Sequence, residues 1–99
     1  MVVHIVMFKF KEKNKERNIS EVVEKLNALV ELIPSLKSME VGVNFTDSER
    51  AFDLSLYSTF DSKEALKEYA IHPEHLKVVE LIREVTLESK VVDYIKEDK

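Results

Sequence analysis

The sequence predicts an α+β domain in which strands and helices follow one another as β-α-β-β-α-(α)-β. Three observations carry that prediction. Apolar residues recur with period two in four stretches and with a helical period between them. Both prolines, Pro34 and Pro73, stand where a helical pattern breaks off. The 99 residues, 44% apolar and 34% charged, suit a single domain over residues 1–99 and are too ordered in composition for a disordered chain. A domain of this size buries only roughly 60–68% of its unfolded surface, so an oligomer that covers the remainder is expected.

Residues 2–10 open the pattern. His4, Val6, Phe8 and Phe10 alternate with Val3, Ile5 and Met7, which predicts a strand covered on both faces. From 19 to 33 the period changes: Ile19, Val22, Val23, Leu26, Leu29, Val30 and Ile33 make the apolar stripe of a helix. Asn18 with Glu21 reads as its capping box, and Pro34 drives Ile33 out of helical geometry and ends it. Residues 36–45 alternate again through Met39, Val41, Val43 and Phe45. The polar stretch TDSER is a loop, and Phe52, Leu54 and Leu56 begin a third strand that reaches Phe60, completing a hairpin.

Asp61 with Glu64 opens a second helix that carries Ala65, Leu66, Tyr69 and Ala70. Pro73 interrupts it and suits the first position of a third helix through Leu76, Val79 and Ile82. A last strand is predicted at 89–95, followed by a frayed tail, KEDK. The order is that of the ferredoxin-like split βαβ sandwich, a four-stranded antiparallel sheet with its helices on one face. Phe8, Val23, Leu26, Leu54, Leu56 and Leu66 are the expected core. On the other face Val3, Ile5 and Met7 mix with Asp53 and Ser55, an apolar patch that a second sheet packed face to face would hide.

Composition narrows the function. Without cysteine there is no disulfide framework, no cysteine-ligated metal and no thiol nucleophile. A net charge of −4 gives no general attraction to nucleic acid, and the basic run KFKEKNKER reads as a solvated strand end. AFDLSLYSTF lacks the glycine-aromatic signature of an RNA-binding sheet, and a lone Gly42 cannot build a phosphate-cradling loop. MVVHIVMF has no basic leader and no stretch is long enough to span a bilayer, so the expectation is a cytoplasmic protein with no membrane partner.

The segment YAIHPEH (69–75), placed after a helix in this element order, resembles the stress-responsive dimeric α/β-barrel family. The start VVHIVMFKFK, the run FDLSLYSTFDSKEALKEYAIHPEHLKVV and KVVDY near the end extend the likeness along almost the whole chain. The resemblance implies a homodimer whose two sheets close into one barrel. An enzymatic member of that family closes a ring in a linear polyketide without any cofactor. Its functional residues would fall on His4, Tyr69 and His75, whereas a fourth, a third-strand histidine, falls on Leu54, which cannot do a histidine's work.

The chemistry of the residues points to the same three. Histidine exchanges a proton near neutral pH, and a tyrosine hydroxyl can stabilise a developing enolate oxygen. His75 is then the base, Tyr69 the donor and His4 the orienting partner for proton abstraction next to a carbonyl. Each also has a structural reading: His72 can cap the helix that Pro73 begins, His75 can bond a loop carbonyl, and His4 and Tyr69 can be core residues. His72, Leu54, Phe8 and Leu66 complete the expected pocket. The H-x2-H spacing of His72 and His75 falls short of a metal motif, and no cofactor is expected. Two classes of function stay open: a homodimeric module, binding a small apolar ligand or purely structural, and a cofactor-independent cyclase or lyase acting on a carbonyl compound.

Overall fold

The computed structural model describes residues 1–97, so the tail expected to fray lies partly outside the described residues. The elements run β1 (Val2–Phe10), α1 (Lys15–Leu32), β2 (Ser38–Val43), β3 (Leu54–Phe60), α2 (Lys63–Ile71), α3 (Pro73–Val85) and β4 (Thr86–Ile95). The strands form one antiparallel sheet in the order β2-β3-β1-β4. This is the predicted ferredoxin-like sandwich.

Pairing fixes which residues share a face. Val6 stands between Leu56 and Val91, and Phe8 between Leu54 and Ser89. The face that carries Val2, Val6, Phe8, Phe10, Leu54, Leu56 and Phe60 packs against Val22, Leu26, Leu29 and Ile33 of the α1 segment, Tyr69 of α2 and Val78 of α3. Val23 and Leu66, expected in the core, sit at its margin, half-buried. On the opposite face Val3 is fully buried between its register partners Thr59 and Tyr94, while Met7, Val92 and Tyr94 are exposed. The outer patch is therefore centred on Ile5, Met7 and Val92 and omits Val3.

Several boundaries differ from the sequence reading. Helix α1 begins at Lys15, a turn before its apolar stripe, after Asn14 in a left-handed conformation (φ 56°). Asn18 lies inside the helix and donates to the Lys13 carbonyl instead of capping. Lys15, Glu16 and Arg17 favour helix without facing the core, so apolar periodicity could not mark them. Ser62 caps α2 in place of Asp61, its hydroxyl accepting from the Ala65 N–H at 3.1 Å. Pro73 opens α3 as expected, and His72 caps it, Nδ1 accepting from the Glu74 N–H at 3.1 Å.

Asp53 is also not on the outer sheet face. Its carboxylate accepts from the Phe10 N–H at 2.7 Å and pairs with Lys15 at 3.0 Å, tying the end of β1 to the start of α1. Phe10 is buried, so Asp53→Ala leaves its N–H unpaired. The substitution should cost about 1–3 kcal/mol in chemical denaturation.

Candidate functional site

Between sheet and helices lies a cavity of ≈ 290 Å³, with His4, Tyr69 and His75 in its wall. His4 enters it because strand alternation puts its side chain on the helix-bearing face with Val6 and Phe8. The Ser58 hydroxyl, fully buried, donates to the His4 carbonyl at 3.1 Å and holds β1 at that point. Across the ladder the register partner of His4 is Asp93 of β4. The Asp93 carboxylate accepts a hydrogen bond from His4 Nδ1. A carboxylate can only accept, so Nδ1 carries the hydrogen and Nε2 is the free nitrogen.

Tyr69 comes from the last turns of α2 and is buried. Its ring packs on Phe60 at 5.1 Å between centroids, on His75 at 4.2 Å and, edge-on, on His4 at 6.5 Å. The ring is thus held on three sides, yet its hydroxyl is buried without a hydrogen-bond partner. Leaving such a group unpaired costs about 1–3 kcal/mol, so its presence calls for a use. Burial pushes the phenol well above its ordinary pKa of 10.0, which keeps it a donor throughout the physiological range.

His75 stands at the third position of α3, and its Nδ1 bonds the Ala70 carbonyl at 3.0 Å. A carbonyl accepts, so Nδ1 is the protonated nitrogen and Nε2 carries the lone pair. Burial lowers the pKa of His75 below 6.5, opposed by the Ala70 bond and assisted by His4 and His72. At neutral pH the ring is uncharged, and it packs against the ring of Tyr69, whose hydroxyl has no partner.

Of the seven residues named from sequence, the cavity gathers His4, Tyr69, His75 and Phe8. His72 is spent on the α3 cap, its Nδ1 already accepting a backbone N–H. Leu54 is core, one inward-facing β3 position from the cavity wall, where Leu56 stands instead. Leu66 borders a separate cleft beside Asp93 and Tyr94. Asp93 escaped the sequence reading, although alternation places it on the same face as Val91 and Ile95. What sequence lacked was the register that sets it opposite His4. Among the described residues no group of three or more His, Cys, Asp or Glu side chains is arranged to hold a metal ion, and no helix is long and apolar enough to cross a membrane.

Comparison with known proteins agrees with this architecture. The chain is 28% identical over 95 residues to olivetolic acid cyclase of Cannabis sativa, with 94% of each chain covered. It is 34% identical over 96 residues to a stress-response A/B barrel domain-containing protein of Arabidopsis thaliana. That match covers 96% of this chain and 36% of the plant protein, so the chain spans about a third of that relative's length. A crystal structure from Bacteroides fragilis, described as a dimeric protein of unknown function with a ferredoxin-like fold, superimposes with a TM-score of 0.85 at 32% identity, covering 94% of this chain and 93% of the other. The stress responsive A/B barrel domain model matches residues 2–96, and the chain belongs to that family.

Proposed function

We propose that the protein acts as a homodimer that binds a small, largely apolar carbonyl compound between His4, Tyr69 and His75 and transfers a proton next to the carbonyl. The observation that carries this reading is the buried, unpartnered hydroxyl of a tyrosine whose ring packs against a neutral histidine. A carbonyl oxygen is the natural acceptor for that hydroxyl. His75 Nε2 takes a hydrogen from the carbon next to the carbonyl, the C–H electron pair moves into the enolate, and Tyr69 donates to the developing oxygen anion. Asp93 orients His4 at the edge of the site and thereby the third wall of polar contacts. The likeness to olivetolic acid cyclase supports carbonyl chemistry of this kind, whether the enolate then closes a ring or expels a leaving group.

Exchange of the α-hydrogens of 2-decanone in D2O, followed by NMR, tests the reading without a known substrate. The protein should accelerate exchange, and His75→Gln should remove about 10²-fold or more of the acceleration. Acceleration that survives in the variant would refute His75 as the base. Binding without any acceleration would leave a ligand-holding module, a reading favoured by the apolar wall at Leu56.

The pH profile follows from the same assignment. A base must be unprotonated to act, and His75 is held below 6.5. The exchange rate should therefore fall on the acid side with an apparent pKa under 6.5 and stay level from about pH 7 to about pH 9, because Tyr69 keeps its proton. Since the folded state resists protonating His75, stability is also lost as pH drops from 6.5 through the lower folded value.

The dimer rests on the outer sheet face and on relatives described as dimeric. Met7→Glu puts a charge in the exposed apolar patch away from the cavity. Sedimentation should show this variant as a folded monomer where the parent is a dimer.

A further inference from the structure

The cavity has a second end, with different chemistry. The α3 residues that line it are His75, Val78, Val79, Ile82 and Arg83, followed by Thr86 at the start of β4, at helical spacings of three, one, three, one and three. They form one stripe that starts at the base and ends at a cation. Eight residues separate His75 from Arg83, about 12 Å along a helix axis. On the facing strand His4, Val6 and Phe8 cover about 13 Å in the same direction, and Phe8 is paired with Ser89, which lines the far end beside Thr86. Floor and roof therefore both run from the histidines, through apolar side chains, to an Arg-Thr-Ser cluster.

Arg83 stands in the last turn of α3, where a cation complements the helix dipole. It is solvent-exposed there and also lines the rim of the cavity. Among the described residues it forms no ion pair, although its neighbours in sequence include Glu80 and Glu84. Thr86 already donates its hydroxyl to the Ile82 carbonyl at 2.7 Å, so Arg83 is the free charged donor at this end.

Building on the carbonyl site proposed above, we infer that Arg83 selects ligands that carry an anionic group at the end remote from the carbonyl. The substrate class is then an amphiphile: a reactive carbonyl at Tyr69, an apolar chain along Val6, Phe8 and Val79, and a carboxylate or comparable anion on the Arg83 guanidinium, a group suited to bidentate carboxylate binding.

The test compares 2-decanone with 9-oxodecanoate, the same methyl ketone bearing a carboxylate on its far end, by calorimetry on the intact protein. The acid should bind about tenfold more tightly than the ketone at low salt. Arg83→Gln should abolish that preference, so that the acid binds no more tightly than the ketone, Arg83→Lys should retain part of it, and added salt should erode it in the parent. If 2-decanone binds but the carboxylate brings no gain, or the gain persists in Arg83→Gln, the anion role of Arg83 is overturned and the carbonyl site stands. If neither compound binds, both are overturned.

Discussion

Tyr69→Phe is expected to separate function from stability. Removing one oxyanion donor typically lowers a rate by about 10²–10³-fold, and α-hydrogen exchange of a bound ketone should fall by that order. Most substitutions at a buried aromatic also destabilise. Here the hydroxyl is buried without a partner, so its removal takes away a desolvation cost while leaving the ring packing on Phe60 and His75 intact. The melting temperature should be unchanged or higher. A variant that is both slower and clearly less stable would mean that the hydroxyl has a structural partner, and the site would lose its donor.

Leu26→Ala should produce the largest loss of stability. Leu26 is 1% exposed, faces the sheet from the middle of α1 and also lines the cavity. Truncation removes its transfer free energy and adds a void to a small domain, a cost of about 2–5 kcal/mol in denaturant titration. Half-buried Val23, at the margin of the same stripe, should cost less when truncated to Ala. Equal losses at the two positions would contradict the rotation of α1 that buries Leu26 and leaves Val23 at the core's edge.

How far the sequence reaches can be judged from particular residues. Two periodicities and two prolines were enough for the element order, because strand alternation and a helical stripe are direct images of burial. The apolar stripe of α1 locates the core-facing face and says nothing of Lys15–Asn18, which turn helical without touching the core. Asp53 and Asp93 show the same limit in another form. Each acts through a partner distant in sequence, Phe10 for one and His4 for the other, and that partnership exists only once strand register is set. His4, Tyr69 and His75 were legible as candidates; the tautomers that leave Nε2 of His75 unprotonated and tie Nδ1 of His4 to a carboxylate required the geometry.

The central claim is that the idle Tyr69 hydroxyl awaits a carbonyl oxygen. It is tested most directly by the carbonyl resonance of 2-decanone labelled with carbon-13 at that position, measured free and bound. A hydrogen bond from Tyr69 polarises the carbonyl, so the bound signal should move downfield in the parent protein and return towards the free value in Tyr69→Phe. A bound ketone whose carbonyl does not shift, or shifts equally in both proteins, would contradict the account.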